Sequence, residues 1–144
     1  MSEGFRLARF LPYRVVALGQ AMGQGLARQY AEEFGISVPE WRTLALIAQH
    51  ESVTATRVVA ETPMDKATVS RAVAGLIERG LVERVPHASD RRAAVLALSD
   101  EGAEVFAAVA ERALAYEARL LEGFTPEERA ALDRLLSKLS AASG

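Results

Sequence analysis

From Leu11 onward, apolar residues recur at Leu11, Val15, Leu18, Met22, Leu26 and Tyr30, the three- and four-residue steps of one helix face. This predicts a long first helix, with Pro12 in its first turn and Gly35 where it ends. Gly19, Gly23 and Gly25 each weaken that helix by roughly 1 kcal/mol relative to alanine. Two explanations stand side by side: close approach by another helix or a ligand, or a local kink.

Ser37-Val38-Pro39-Glu40 is a capping box, and it opens a second helix carrying Trp41, Leu44, Ala45 and Ile47. A short third helix is expected from Thr54, with Val58 and Val59 inward, and Thr62-Pro63 ends it. Asp65 is an N-cap for a fourth helix whose buried stripe is Val69, Val73, Leu76 and Ile77. Its opposite face holds Ala67, Arg71 and Ala74, flanked by Thr68 and Ser70, and Gly80 closes it. Val82 to Val85 and Ala94 to Leu98 read as short strands around a polar turn, residues 86–92. Ser99 caps a fifth helix with Val105, Val109, Tyr116 and Leu120 inward. A second capping box, Thr125 with Glu128, opens a sixth helix bearing Leu132, Leu135, Leu136 and Leu139.

The fourth helix and the hairpin after it change the picture from folding to function. Small and hydroxylated residues let a helix enter a major groove closely. Arg71 can make a bidentate contact to guanine, and Lys66 stands at a helix N-terminus, where free amides attract phosphate. Arg91 and Arg92 lie at a hairpin tip that folding alone does not require to be basic, and such arginines can enter a minor groove. The bland alternative for both features is a solvated surface.

Charge favours DNA. The segment from Lys66 to Arg92 has six basic residues (Lys66, Arg71, Arg79, Arg84, Arg91, Arg92) against three acidic ones (Glu78, Glu83, Asp90), in a chain whose net charge is -2. A basic segment on an acidic body orients a protein on a polyanion. The length, 144 residues, suits one domain. With no cysteine, disulfides, thiolate metal sites and a cysteine redox switch are excluded. His50 and His87, the only histidines, form no ligand cluster, so neither metal nor cofactor is expected. No apolar run approaches membrane-spanning length and no signal-peptide pattern opens the chain, so a cytoplasmic location is expected.

The series Gly35-Ile36-Ser37, Trp41-Arg42, Asp65-Lys66-Ala67-Thr68-Val69-Ser70-Arg71, Leu76, Gly80-Leu81-Val82, Arg84, Asp90-Arg91-Arg92, Leu96, Leu98-Ser99 and Gly102 resembles the MarR family of winged-helix transcriptional regulators. Pro63 stands where the family usually has glycine before the fourth helix. The resemblance implies a mainly α fold of the α+β winged helix-turn-helix kind. It would have six helices, with a two-stranded wing hairpin between the fourth and fifth. It implies one domain over 1–144, a DNA-binding region over 37–99, and dimerisation helices over 5–34 and 100–142. Lys66, Ala67, Thr68, Ser70 and Arg71 would lie nearest double-stranded DNA, with Arg92 in the minor groove. Asp90 would orient the wing, Arg91 is the variable middle position, and His87 is placed to touch phosphate.

A homodimer would read a pseudo-palindrome with half-sites about 10 bp apart. A small aromatic or phenolic acid effector would release it, with Tyr13, Arg14, Trp41 and Arg42 as candidate wall residues. The alternative is that Trp41 is core and the two arginines form surface or interface ion pairs. Functions outside this class are a winged-helix protein-interaction module or a regulator without an effector. An enzyme ranks last, because no nucleophile–base pair or phosphate-cradling glycine loop is present.

Overall fold

The computed structural model describes residues 4–86 and 94–144. They fall into two compact units, Met1–Arg112 and Ala113–Gly144. After a short 3-10 turn, Leu7–Arg9, the elements run α1 (Leu11–Phe34), α2 (Val38–Ala48), β1 (Val53–Thr54), α3 (Ala55–Glu61), α4 (Lys66–Glu78), β2 (Val82–Pro86), β3 (Ala94–Leu98), α5 (Asp100–Leu120) and α6 (Pro126–Ala142). This is the mainly α winged helix expected from the sequence. No helix among the described residues is long and apolar enough to cross a membrane.

Local chemistry sets the boundaries. The Ser37 hydroxyl accepts from the Glu40 amide at 3.2 Å, and the Glu40 carboxylate accepts from the Ser37 amide at 2.9 Å. The same reciprocal pair joins Thr125 and Glu128 at the start of α6. α1 ends at Gly35 in the left-handed region (φ 64°), where its amide donates to the Ala31 carbonyl. α4 ends in a Schellman motif: Leu81 N–H bonds Leu76 C=O, Gly80 N–H bonds Ile77 C=O, and Gly80 has φ 73°.

Two expectations need correction. The hairpin of β2 and β3 is paired as expected, but a third strand that the sequence does not suggest joins it, giving an antiparallel sheet in the order β1-β3-β2. β1 is only Val53–Thr54, too short to show alternation, and is held by pairing Val53 with Leu96 and Thr54 with Val95. Thr54 therefore belongs to that strand and caps α3 through its hydroxyl, which accepts from the Arg57 amide at 3.1 Å. The helix proper begins one residue later than expected.

The core of the first unit joins Leu44 and Ile47 of α2, Val58 of α3, Val69, Val73 and Leu76 of α4, Val82 and Leu96 of the sheet, and Val109 of α5. Each such side chain contributes about 1.5–3 kcal/mol by leaving water. The α1 stripe divides: Tyr30 is buried and Leu26 packs against the core, while Leu11, Val15, Leu18 and Met22 are exposed. Leu120, expected inward on α5, is exposed too. In the second unit, Arg129 donates to the Leu121 carbonyl at 2.8 Å. Leu132, Leu135, Leu136 and Leu139 of α6 remain exposed.

Candidate nucleic-acid interface

α4 has a buried side and an open side. Val69, Ala72, Val73 and Leu76 are buried, and Ile77 is half-buried. Lys66, Ala67, Ser70, Arg71 and Ala74 are exposed, and Thr68 is intermediate. The Asp65 carboxylate accepts from the Thr68 amide at 2.7 Å, which fixes the first turn. Arg71 donates to the Thr68 hydroxyl at 3.4 Å, so these two side chains meet on the open face.

Beside α4 lies a groove of about 360 Å³ lined by Ala55, Thr56 and Val59 of α3, Lys66, Val69, Ser70 and Val73 of α4, and Arg84 and Leu96 of the sheet. Lys66 and Arg84 thus stand on one opening, with Ser70 and Thr56 as hydroxyl donors. Arg84 and Thr56 are not among the site residues expected from the sequence. A signal for Arg84 exists: it stands two residues after the buried Val82 on a strand, hence on the same face of the sheet. β2 and β3 pair in register from Val82↔Leu98 to Pro86↔Ala94. His87, Asp90, Arg91 and Arg92, the expected wing contacts, lie outside the described residues.

Two carboxylates near this face are held below their ordinary pKa. The Thr68 backbone and side-chain hydrogen bonds do so for Asp65. For Glu61 the causes are hydrogen bonds first with His50 and then with Arg57, at 3.0 and 2.8 Å. A depressed carboxylate stabilises the fold above its unfolded pKa, and that contribution is lost as pH falls through the folded value. The decline therefore starts near the ordinary values of 3.8 for Asp65 and 4.5 for Glu61 and deepens below them. Asp65→Asn keeps a capping oxygen but cannot titrate. Its melting temperature is expected to be modestly below that of the parent at pH 7, where the charge is lost, and to fall less steeply below pH 4 (about the pKa of a free Asp), as read by circular dichroism melts.

Among the described residues, the candidate effector residues lie in separate places. Tyr13 and Arg14 line an exposed groove on α1 with Leu11 and Leu18. Arg42 lines another, with Gln20, Gly23, Gln24 and Val38. Trp41 packs against the core, 5.9 Å from Tyr30 and stacked at 5.8 Å on Phe106. A Cβ at Gly23 would sit 3.0 Å from the end of the Arg42 side chain, a tight contact with a group that can shift. A Cβ added at Gly19 would meet nothing within 4 Å beyond its own helix, and Gly25 is buried. Burial raises the Tyr30 pKa, and the nearby Arg42 charge opposes this.

Residues 34–93 match the model of the MarR family. No curated protein sequence matches the chain. A MarR/EmrR family transcriptional regulator from Acinetobacter sp. ADP1 is similar at 27% identity, over 96% of this chain and 98% of that one, with a TM-score of 0.86. A mutant E. coli MarR solved with operator DNA shares the fold at 22% identity, 96% and 99% coverage and a TM-score of 0.81. So does the PcaV transcriptional regulator from Streptomyces coelicolor, solved with its natural ligand, at 22% identity, 99% and 100% coverage and a TM-score of 0.82. Residues 34–93 thus carry the pattern of the MarR family, and the whole length of the chain folds like these winged-helix transcriptional regulators.

Proposed function

We propose that this chain is a homodimeric, sequence-specific DNA-binding repressor that acts in the cytoplasm. The observation that supports this most is the open face of α4, where Lys66, Ser70 and Arg71 stand exposed on a helix anchored by its other side, with Arg84 beside them. α4 enters the major groove. Arg71 reads a base, Ala67 and Ala74 let the backbone approach, and Thr68 and Ser70 donate to bases or phosphates. Lys66 and Arg84 neutralise phosphates. Arg92 reaches the minor groove, Asp90 orients the wing, and Arg91 and His87 contact the backbone. The reading region spans 37–99 of a single domain, 1–144, and the helices of 5–34 and 100–142 form the dimer. Exposed Leu11, Val15, Leu18 and Met22 on α1, and the four leucines of α6, support that last assignment.

Binding of duplex DNA over a range of salt concentrations tests the reading. The logarithm of affinity should fall linearly with the logarithm of salt. Arg71→Ala should cost about 1–3 kcal/mol, roughly fivefold to a hundredfold, and relax one operator position. Arg92→Ala should weaken binding on all sequences and reduce the salt slope by about 1. Unchanged affinity in both variants sinks the assignment. The effector is a small aromatic or phenolic acid held near Tyr13, Arg14, Trp41 and Arg42; the PcaV regulator, which shares the fold, was solved with a ligand bound. A thermal-shift screen of benzoates and phenols is its test, because ligand at a hundredfold its Kd adds about 2.7 kcal/mol.

A further inference from the structure

The last turn of α1 holds no basic residue of its own, although a helix C-terminus favours a cation. Two guanidinium groups arrive there from elsewhere. Arg79, at the end of α4, donates to the Gly35 carbonyl at 2.8 Å and to the Phe34 carbonyl at 2.5 Å. Arg112 of α5 donates to the Gln29 carbonyl at 3.1 Å, grips the Glu33 carboxylate with both arms, and lies 5.1 Å from the Phe34 ring centre. The segment after Arg79 is tied to α5 as well. The Ser99 hydroxyl donates to the Gly80 carbonyl and accepts from the Gly102 amide, and Ser99 N–H donates to Leu81 C=O. The three residues Arg79, Gly80 and Leu81 therefore join the end of α4 to the end of α1 and the start of α5.

We infer that Arg79 is a positioning residue: its fork on the Phe34 and Gly35 carbonyls fixes the angle between α4 and α1, and through it the operator half-site spacing that the protein accepts. This rests on the reading of α4 as the DNA helix and α1 as a dimer helix. The fork is planar and grips two successive carbonyls, so it resists rotation as well as separation. Arg79 lies at the opposite end of α4 from Lys66, so its role is to hold the helix that reads. An angle fixed at the root of α4 sets the separation and twist of two such helices related by a two-fold axis.

The experiment starts with duplexes selected by the full-length wild-type protein from a randomised library. One or two base pairs are then inserted between the half-sites, and a duplex with a single half-site serves as reference. Each inserted pair rotates the second half-site by about 34° and shifts it about 3.4 Å. Wild-type affinity should drop about tenfold or more for one inserted pair, in the range of a mismatched site. Arg79→Ala should keep its affinity for the single half-site within about twofold while the insertion penalty shrinks to about threefold, as for a loosened rather than a lost contact. Arg79→Lys, with a single ammonium, should fall between the two.

An insertion penalty unchanged in Arg79→Ala overturns the inference. So does a parallel loss on half-site and full-site duplexes, which marks general destabilisation. Should Arg79→Ala fail to give a cooperative melt, Arg79→Lys is compared alone, and a wild-type penalty there overturns it equally. Failure of the selection to enrich any sequence is a different result, one that removes the DNA-reading function itself.

Discussion

Gly102→Ala is expected to lower the melting temperature by about 10 °C, the equivalent of roughly 3 kcal/mol for a chain of this size. A Cβ at this position would overlap the Leu81 carbonyl oxygen and sit 2.8 Å from its carbon. Backbone atoms cannot turn aside as a long side chain can, so the start of α5 must move away. That movement also strains the Ser99 hydroxyl, which links the Gly102 amide to the Gly80 carbonyl. Gly75 offers the contrast. The nearest atom to a Cβ added there is the end of the Glu40 side chain, at 2.6 Å. Glu40 can shift, at the expense of its bond to the Ser37 amide, so Gly75→Ala should cost less. Paired thermal melts at several denaturant concentrations would compare the two. A Gly102→Ala protein as stable as its parent would mean that α5 does not sit against the Leu81 backbone.

The second large effect is expected from Leu136→Glu. Leu136 is 51% exposed, and Leu132, Leu135 and Leu139 share its helix face. A stripe of leucines open to water is the kind of surface that marks a protein–protein contact. Placed in a dimer interface it becomes the centre of the contact, where a buried unpaired carboxylate is strongly unfavourable. The variant should sediment as a monomer at micromolar concentration and lose about a hundredfold or more in operator affinity, because the second half-site no longer binds as part of one molecule. Helicity of the monomer should be kept, since the Leu136 side chain is exposed on its helix. A Leu136→Glu protein that still sediments as a dimer would move the interface off this face.

Legibility in the sequence follows the range of each interaction. The caps at Ser37, Asp65 and Thr125 are contacts three residues long, written in adjacent letters, and the structure has all of them. The periodicity of α1 is legible, but the division of its stripe between core and solvent is not. That depends on where the rest of the first unit lies. β1 escapes because two residues hold no period, and its partner Leu96 is far along the chain. At the candidate interface, the face of α4 follows from helical spacing. Arg84 reads in the sequence as charge and not as a site residue, because the groove it lines is made by three elements that meet only in the fold. Arg79 is invisible as a link for the same reason. Its carbonyl partners lie 44 and 45 residues earlier.

The order of strands in the sheet has a consequence for synthesis on the ribosome. β3 is the inner strand, yet it is the last of the three to be made. Val53 has no partner until Leu96 emerges, a delay of roughly 2–9 s at ordinary elongation rates. During that interval α2, α3 and α4 have their caps and can form, while β1 offers an unpaired edge. Because β1 is only two residues long, that edge is too short to recruit a strand from another nascent chain. Its brevity, which hides it in the sequence, also protects the half-made protein.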